Sequence, residues 1–186
     1  MNRLKKIREL DLYPEASGLQ KIDVVDCWEA DEIIFTILFC KQDKLVSKIM
    51  RDQRGGWHTG YCRFRKRPLA EKKYGGIVVY VPVHGGITYA KEDEMGFTYG
   101  FDCHHAGDET KPHLANIDWL RDECQRMAVG IKIAALFEKQ YLKLGEDSDG
   151  KANLLDQYHE KLKKLDIGFN LTDNFGAMIR LLSGNL

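Results

Sequence analysis

The sequence predicts an α+β fold: an antiparallel β-meander packed against C-terminal helices. Three observations carry this. Apolar and polar residues alternate over Phe97–Cys103, the period of a half-buried strand, after the β-branched run Ile77–Val83. From Asp118 onward the apolar period becomes helical. Paired glycines and short polar runs separate the segments, as turns require. A length of 186 residues fits one α+β domain over 1–186, sheet-rich over 20–110 and helical over 116–186.

Residues 2–10 read as a short charged helix that ends near Pro14 and Gly18. Ile33–Cys40 (IIFTILFC) is a continuous apolar run whose length and β-branching favour a buried strand, the alternative being a helix continuing through Lys44–Arg51. Gly55-Gly56 breaks the chain before WHTGYCRFRKRPL. Ile77–Val83 reads as the first meander strand, with Ile77, Val79, Val81 and Val83 on one face. Pro82 cannot donate to a ladder and places that strand at an edge or at its end. Gly85-Gly86 is a two-residue turn signal leading to a partner strand at Ile87–Ala90. Lys91–Gly96 makes a polar turn, and Phe97–Cys103 alternates as the third strand. Leu120, Cys124, Met127, Ala128, Ile131 and Ala135 mark a helix, and Leu154, Leu155, Tyr158, Leu162 and Leu165 a second. Phe175, Met178, Ile179 and Leu182 suggest a third.

Composition excludes several classes. Lysine plus arginine balance aspartate plus glutamate at 28 each, which argues against general nucleic-acid binding and a polybasic membrane binder. No apolar run approaches the ~20 residues of a membrane span, and MNRLKKIREL has no signal-peptide core. Five cysteines without a close CxxC pair imply reduced thiols and a cytoplasmic protein. The expectation is a protein with no membrane partner and no cofactor, for which a homo-oligomer is compatible.

In a meander, the ends of the first and third strands share one edge of the sheet. That geometry places His84, Gly85 and Gly86 beside Asp102, His104, His105 and Asp108. Such a group can hold a polar ligand, serve as acid and base, or bind a metal. No HExxH-like spacing is present, so no metal is assigned. A purely structural role is the plain alternative, with Asp108 closing a turn. Trp57 and Trp119 are expected as core or cleft walls.

The second candidate is basic. Between Arg51 and Tyr74, eight basic residues stand against Asp52 and Glu71, with Tyr61, Phe64 and Tyr74 among them. Arg63, Arg65, Lys66 and Arg67 are the expected phosphate or partner contacts, because guanidinium forks match phosphate and carboxylate oxygens. A solvated charge run is the competing reading. Glu92, Asp93, Glu94, Asp102, Asp108 and Glu109 make the hairpin region acidic, so the neutral total hides a charge-divided surface.

GYCRFRKRPL at 60–69, VHGGITYA at 83–90, YGFDCHHAGD at 99–108 and WLRDECQRMA at 119–128 resemble the motifs of a family of uncharacterised small proteins of tailed bacteriophages and prophages. The likeness covers about 70 central residues. Arg67-Pro68 departs from the relatives' His-Pro, and His104 stands where they carry alanine, so His105 corresponds to the family's histidine. The resemblance implies a viral or mobile-element protein in the cytoplasm of a bacterial host. The expected function is a binding protein that inhibits a host defence system, its partner a host protein complex or a small nucleotide. Its pocket is expected at the His84/Asp102/His105 edge, with Arg63–Arg67 contributing phosphate or partner contacts. The alternative is a metal-assisted hydrolase of a phosphodiester or nucleotide, using His84 and His105 as ligands and Asp102 and Asp108 as ligand and general base.

Overall fold

The apolar run Ile33–Cys40 lies inside a five-stranded antiparallel sheet. The structure, a computed structural model, describes residues 19–42, 55–69 and 76–166. The helices expected at 2–10 and around Phe175–Leu182, and the extension through Lys44–Arg51, lie outside the described residues. The strands are β1 (Leu19–Ala30), β2 (Ile33–Gln42), β3 (Gly56–Phe64), β4 (Tyr89–Asp93) and β5 (Gly96–Asp102). Their spatial order is β1-β2-β3-β5-β4, with every neighbouring pair antiparallel. Two helices follow, α1 (Ile117–Lys143) and α2 (Ser148–Asp166). The fold is α+β, as the change of period predicts. Among the described residues no helix is long and apolar enough to cross a membrane.

The core lies between one sheet face and α1. Ile33, Phe35 and Ile37 of β2, Cys62 and Phe64 of β3, and Tyr99 and Phe101 of β5 are buried together with Leu120, Cys124, Met127 and Ile131 of α1. These are every second residue on the strands and every third or fourth on the helix, as the two periods demand. Gly60 makes the contact close: a Cβ there would meet Phe101 Cε1 at 2.4 Å and Cys124 Sγ at 2.7 Å. Asn116 caps α1, its side chain accepting from the Trp119 N–H at 3.0 Å. Tyr158 of α2 is fully buried and donates its hydroxyl to the Gly130 carbonyl at 3.2 Å, tying the helices together. All five cysteines are free.

The first meander strand does not form. Gly76–Tyr80 is a 3-10 turn, and the chain rejoins the sheet only at Thr88, whose N–H donates to the Gly100 carbonyl at 2.9 Å just before β4 begins. Ile77, Val78 and Val81 are buried while Val79 and Tyr80 are exposed, so burial does not follow the alternation. Packing overrides β propensity here. Gly130 leaves α1 with a gap, and a Cβ there would lie 2.9 Å from Val81 and 3.2 Å from Pro82. The segment therefore lies against the helix instead of entering the sheet. Gly85-Gly86 does turn the chain, with Gly86 N–H donating to the Val83 carbonyl at 2.9 Å, but it joins no pair of strands. The hairpin that forms is β4–β5, turning at Glu94-Met95.

Two strands carried weaker sequence signals. β1 is an edge strand, charged at intervals and interrupted by a bulge between Val24 and Asp26. β3 contains Gly60 and few β-branched residues, which hides a central strand from propensity. The β1–β2 turn places Asp31 and Glu32 at φ 50° and 61°, a left-handed pair that tight hairpins need.

Candidate functional site

β5 ends at Asp102, and the next six residues fold back over the end of β3. Cys103 N–H donates to the His58 carbonyl at 2.9 Å, while Asp102 Oδ1 accepts from the His104 N–H at 3.0 Å. The loop closes on Asp108, whose side chain is buried. Its Oδ2 accepts the His105 N–H at 3.0 Å and lies 2.9 Å from His84 Nε2 and 3.3 Å from His105 Nδ1. Lys111 Nζ donates to the other oxygen, Oδ1, at 3.1 Å. Burial raises the Asp108 carboxyl, but the hydrogen bonds from His84, the His105 backbone and Lys111 more than offset it and hold the group well below the usual carboxylate range.

His105 is held from beneath by glycine. Gly85 has φ +66°, and a Cβ on it would lie 2.0 Å from His105 Cε1, so conformation and space both demand glycine. Gly86 also has a positive φ, +82°, but faces open space. The His84 and His105 rings meet edge-on at 5.4 Å, and Trp119 stands 5.8 Å from His84 as one wall. His104 turns away to stack on Trp57 at 4.0 Å.

The structure thus brings together His84, His105 and Asp108, with Asp102 Oδ1 at 4.0 Å from His105 Nδ1 and Gly85 beneath the ring. The juxtaposition arises from two loops, not from the expected pair of strands. Trp119, expected as a core or cleft wall, stands at this rim beside His84, whereas Lys111 also belongs to it and was not singled out from the sequence. Lys111 follows Asp108 by three residues across a 3-10 turn, the spacing at which side chains meet, and that was the available signal.

The basic segment lies elsewhere. Thr59 pairs with Asp102 and Phe64 with Phe97, so Arg65–Arg67 emerge about 17 Å along the strand from the rim. The rim and the basic residues do not form one pocket. Arg63 is placed differently from its neighbours: it is buried, donating Nε to Thr98 Oγ1 at 2.8 Å and pairing Nη2 with Asp93 Oδ2 at 2.9 Å. An arginine in mid-strand points to one sheet face, and this one is committed to its neighbours across the ladder.

Arg65, Lys66 and Arg67 instead line a cavity of about 330 Å³ together with Asp31, Glu32 and Lys132. Ile33, Phe64, Pro68, Ala135 and Leu136 supply its apolar surface. Arg65 pairs with Glu29 at 3.0 Å, Arg67 with Glu92 at 2.7 Å, and Lys132 with Asp31 at 2.5 Å. Arg67 also lies over the Phe97 ring at 5.0 Å. Comparisons with known protein families, with curated proteins and with solved structures found no match.

Proposed function

We propose that this chain is a binding protein of phage or mobile-element type, an inhibitor of a bacterial host defence system that captures a nucleotide in the basic cavity. The cavity carries this reading. Its volume falls at the lower end of small-molecule sites, and it combines apolar walls with four basic side chains set against Asp31 and Glu32. A concave seat suits a small anion better than a flat protein surface. Arginine forks match phosphate oxygens, and the Phe64, Pro68 and Leu136 surfaces suit a base or ribose. Exposed ion pairs contribute about 0–1 kcal/mol, so a phosphate can displace Glu29 from Arg65 or Glu92 from Arg67 at little cost. The VHGGITYA and YGFDCHHAGD motifs support the phage assignment.

The test is to purify the protein from bacterial cells, release bound small molecules and identify them by mass spectrometry, with Arg65→Glu/Arg67→Glu protein alongside. A nucleotide present with wild type and lost from the double variant supports the reading. A host protein retained in place of a nucleotide moves the inhibitor reading to a protein partner. Neither ligand nor partner ends it.

A further inference from the structure

The rim poses a chemical question that the basic cavity does not. Two imidazole nitrogens and one carboxylate oxygen, from His84, His105 and Asp108, all lie within 4.8 Å of one another. Both rings converge on Oδ2, while Lys111 donates to Oδ1. We infer that His84 Nε2, His105 Nδ1 and Asp108 Oδ2 form a site for a divalent transition metal of the zinc class.

The donor chemistry fits, because zinc takes imidazole nitrogen and carboxylate oxygen at about 2.0–2.2 Å. Around a tetrahedral ion such ligands stand roughly 3.3 Å apart. His84 Nε2 and His105 Nδ1 lie 2.9 and 3.3 Å from Asp108 Oδ2, and all three donors fall within 4.8 Å of one another, so the set is gathered on the scale the ion requires. The outer groups fit as well. Lys111 fixes the carboxylate through the oxygen that does not face the rings, and Gly85 fixes the plane of the His105 imidazole. His105 is about one-third exposed (36%), which leaves an entry path. Asp102 Oδ1, 4.0 Å from His105 Nδ1, lies outside the three-donor set. Three protein ligands with an open position is the arrangement in zinc sites that activate water, the chemistry the hydrolase reading requires. The donors come from two separate loops, so no short motif records them.

This inference does not rest on nucleotide capture, because the two sites occupy different ends of β3 and β5. The experiment is a titration of chelator-treated full-length protein with cobalt(II) and with zinc, followed by visible absorption and calorimetry. One equivalent per chain is expected, with the intense d–d bands of low-coordinate cobalt. His84→Gln and His105→Gln should each weaken binding at least tenfold, while Arg65→Glu/Arg67→Glu should leave it unchanged. Wild type that takes up no cobalt overturns the proposal, as do histidine variants that bind as tightly as wild type. Should a variant fail to fold, the wild-type spectrum decides: low-coordinate bands at one equivalent support the site, and a six-coordinate spectrum overturns it.

Discussion

The rim and the basic cavity are both built from charged groups, yet they hold them in opposite ways. At the rim, donors from two loops converge on a single buried carboxylate, so the negative charge is the fixed point and the partners arrange around it. At the cavity, Arg65 and Arg67 on the segment after β3 and Lys132 on α1 are each matched by a separate, partly exposed carboxylate. The difference teaches where stability and binding part company. A buried charge cannot lose its partners without penalty, whereas exposed pairs can be exchanged for a ligand almost freely.

Asp108→Ala should show the largest effect. It strips His84, the His105 N–H and Lys111 of a common buried partner, and a loss of about 3–5 kcal/mol is expected in urea denaturation. A loss below about 1 kcal/mol would erase the distinction between the regions.

Within the rim, two adjacent glycines separate conformational strain from collision. Gly86→Ala should cost about 1–2 kcal/mol for its left-handed backbone alone. Gly85→Ala should cost about 1–3 kcal/mol more, because its methyl meets the His105 ring. Equal losses in the two variants would show that the ring moves aside freely.

The rim also acts on the core beneath it. Burial pushes the Cys40 thiol up to about 11, and the nearby Asp102 charge adds to the rise. The folded thiol holds its proton more tightly than the unfolded one. Its contribution is therefore complete below pH 9 and is lost as pH rises through about 11. Denaturation midpoints measured across that window should fall, with a slope from this group of at most about 1.4 kcal/mol per pH unit, and Cys40→Ala should flatten the decline.

The smallest effects belong to the cavity. Arg65→Ala and Lys66→Ala should each change stability by less than about 0.5 kcal/mol, as read by thermal melting, while reducing nucleotide retention. A larger loss from either would mean that the cavity cations also hold the fold.

Part of this was legible in the sequence. β2 and β5 follow from Ile33–Cys40 and from the alternation after Gly96, and both helices follow from their periodicity. The neighbourhood of His84 and Asp108 was also anticipated, though through a strand at Ile77–Val83 that does not exist. The true cause is contact with α1 at Gly130, and nothing local to residues 77–83 encodes a gap some fifty residues away. The burial of Arg63 was not legible, because its place on the ladder, opposite Thr98 and near Asp93, depends on which strands are neighbours.

What the sequence by itself determined is the order of architectures, strands and then helices. Backbone hydrogen bonding imposes periods of two and of 3.6, and an apolar pattern can satisfy only one of them at a time. What the tertiary structure decided is the fate of the β-branched segment before Pro82 and the meeting of two imidazoles over one carboxylate. Both depend on contacts between residues far apart in the chain, where space left by a missing side chain, not local preference, selects the conformation.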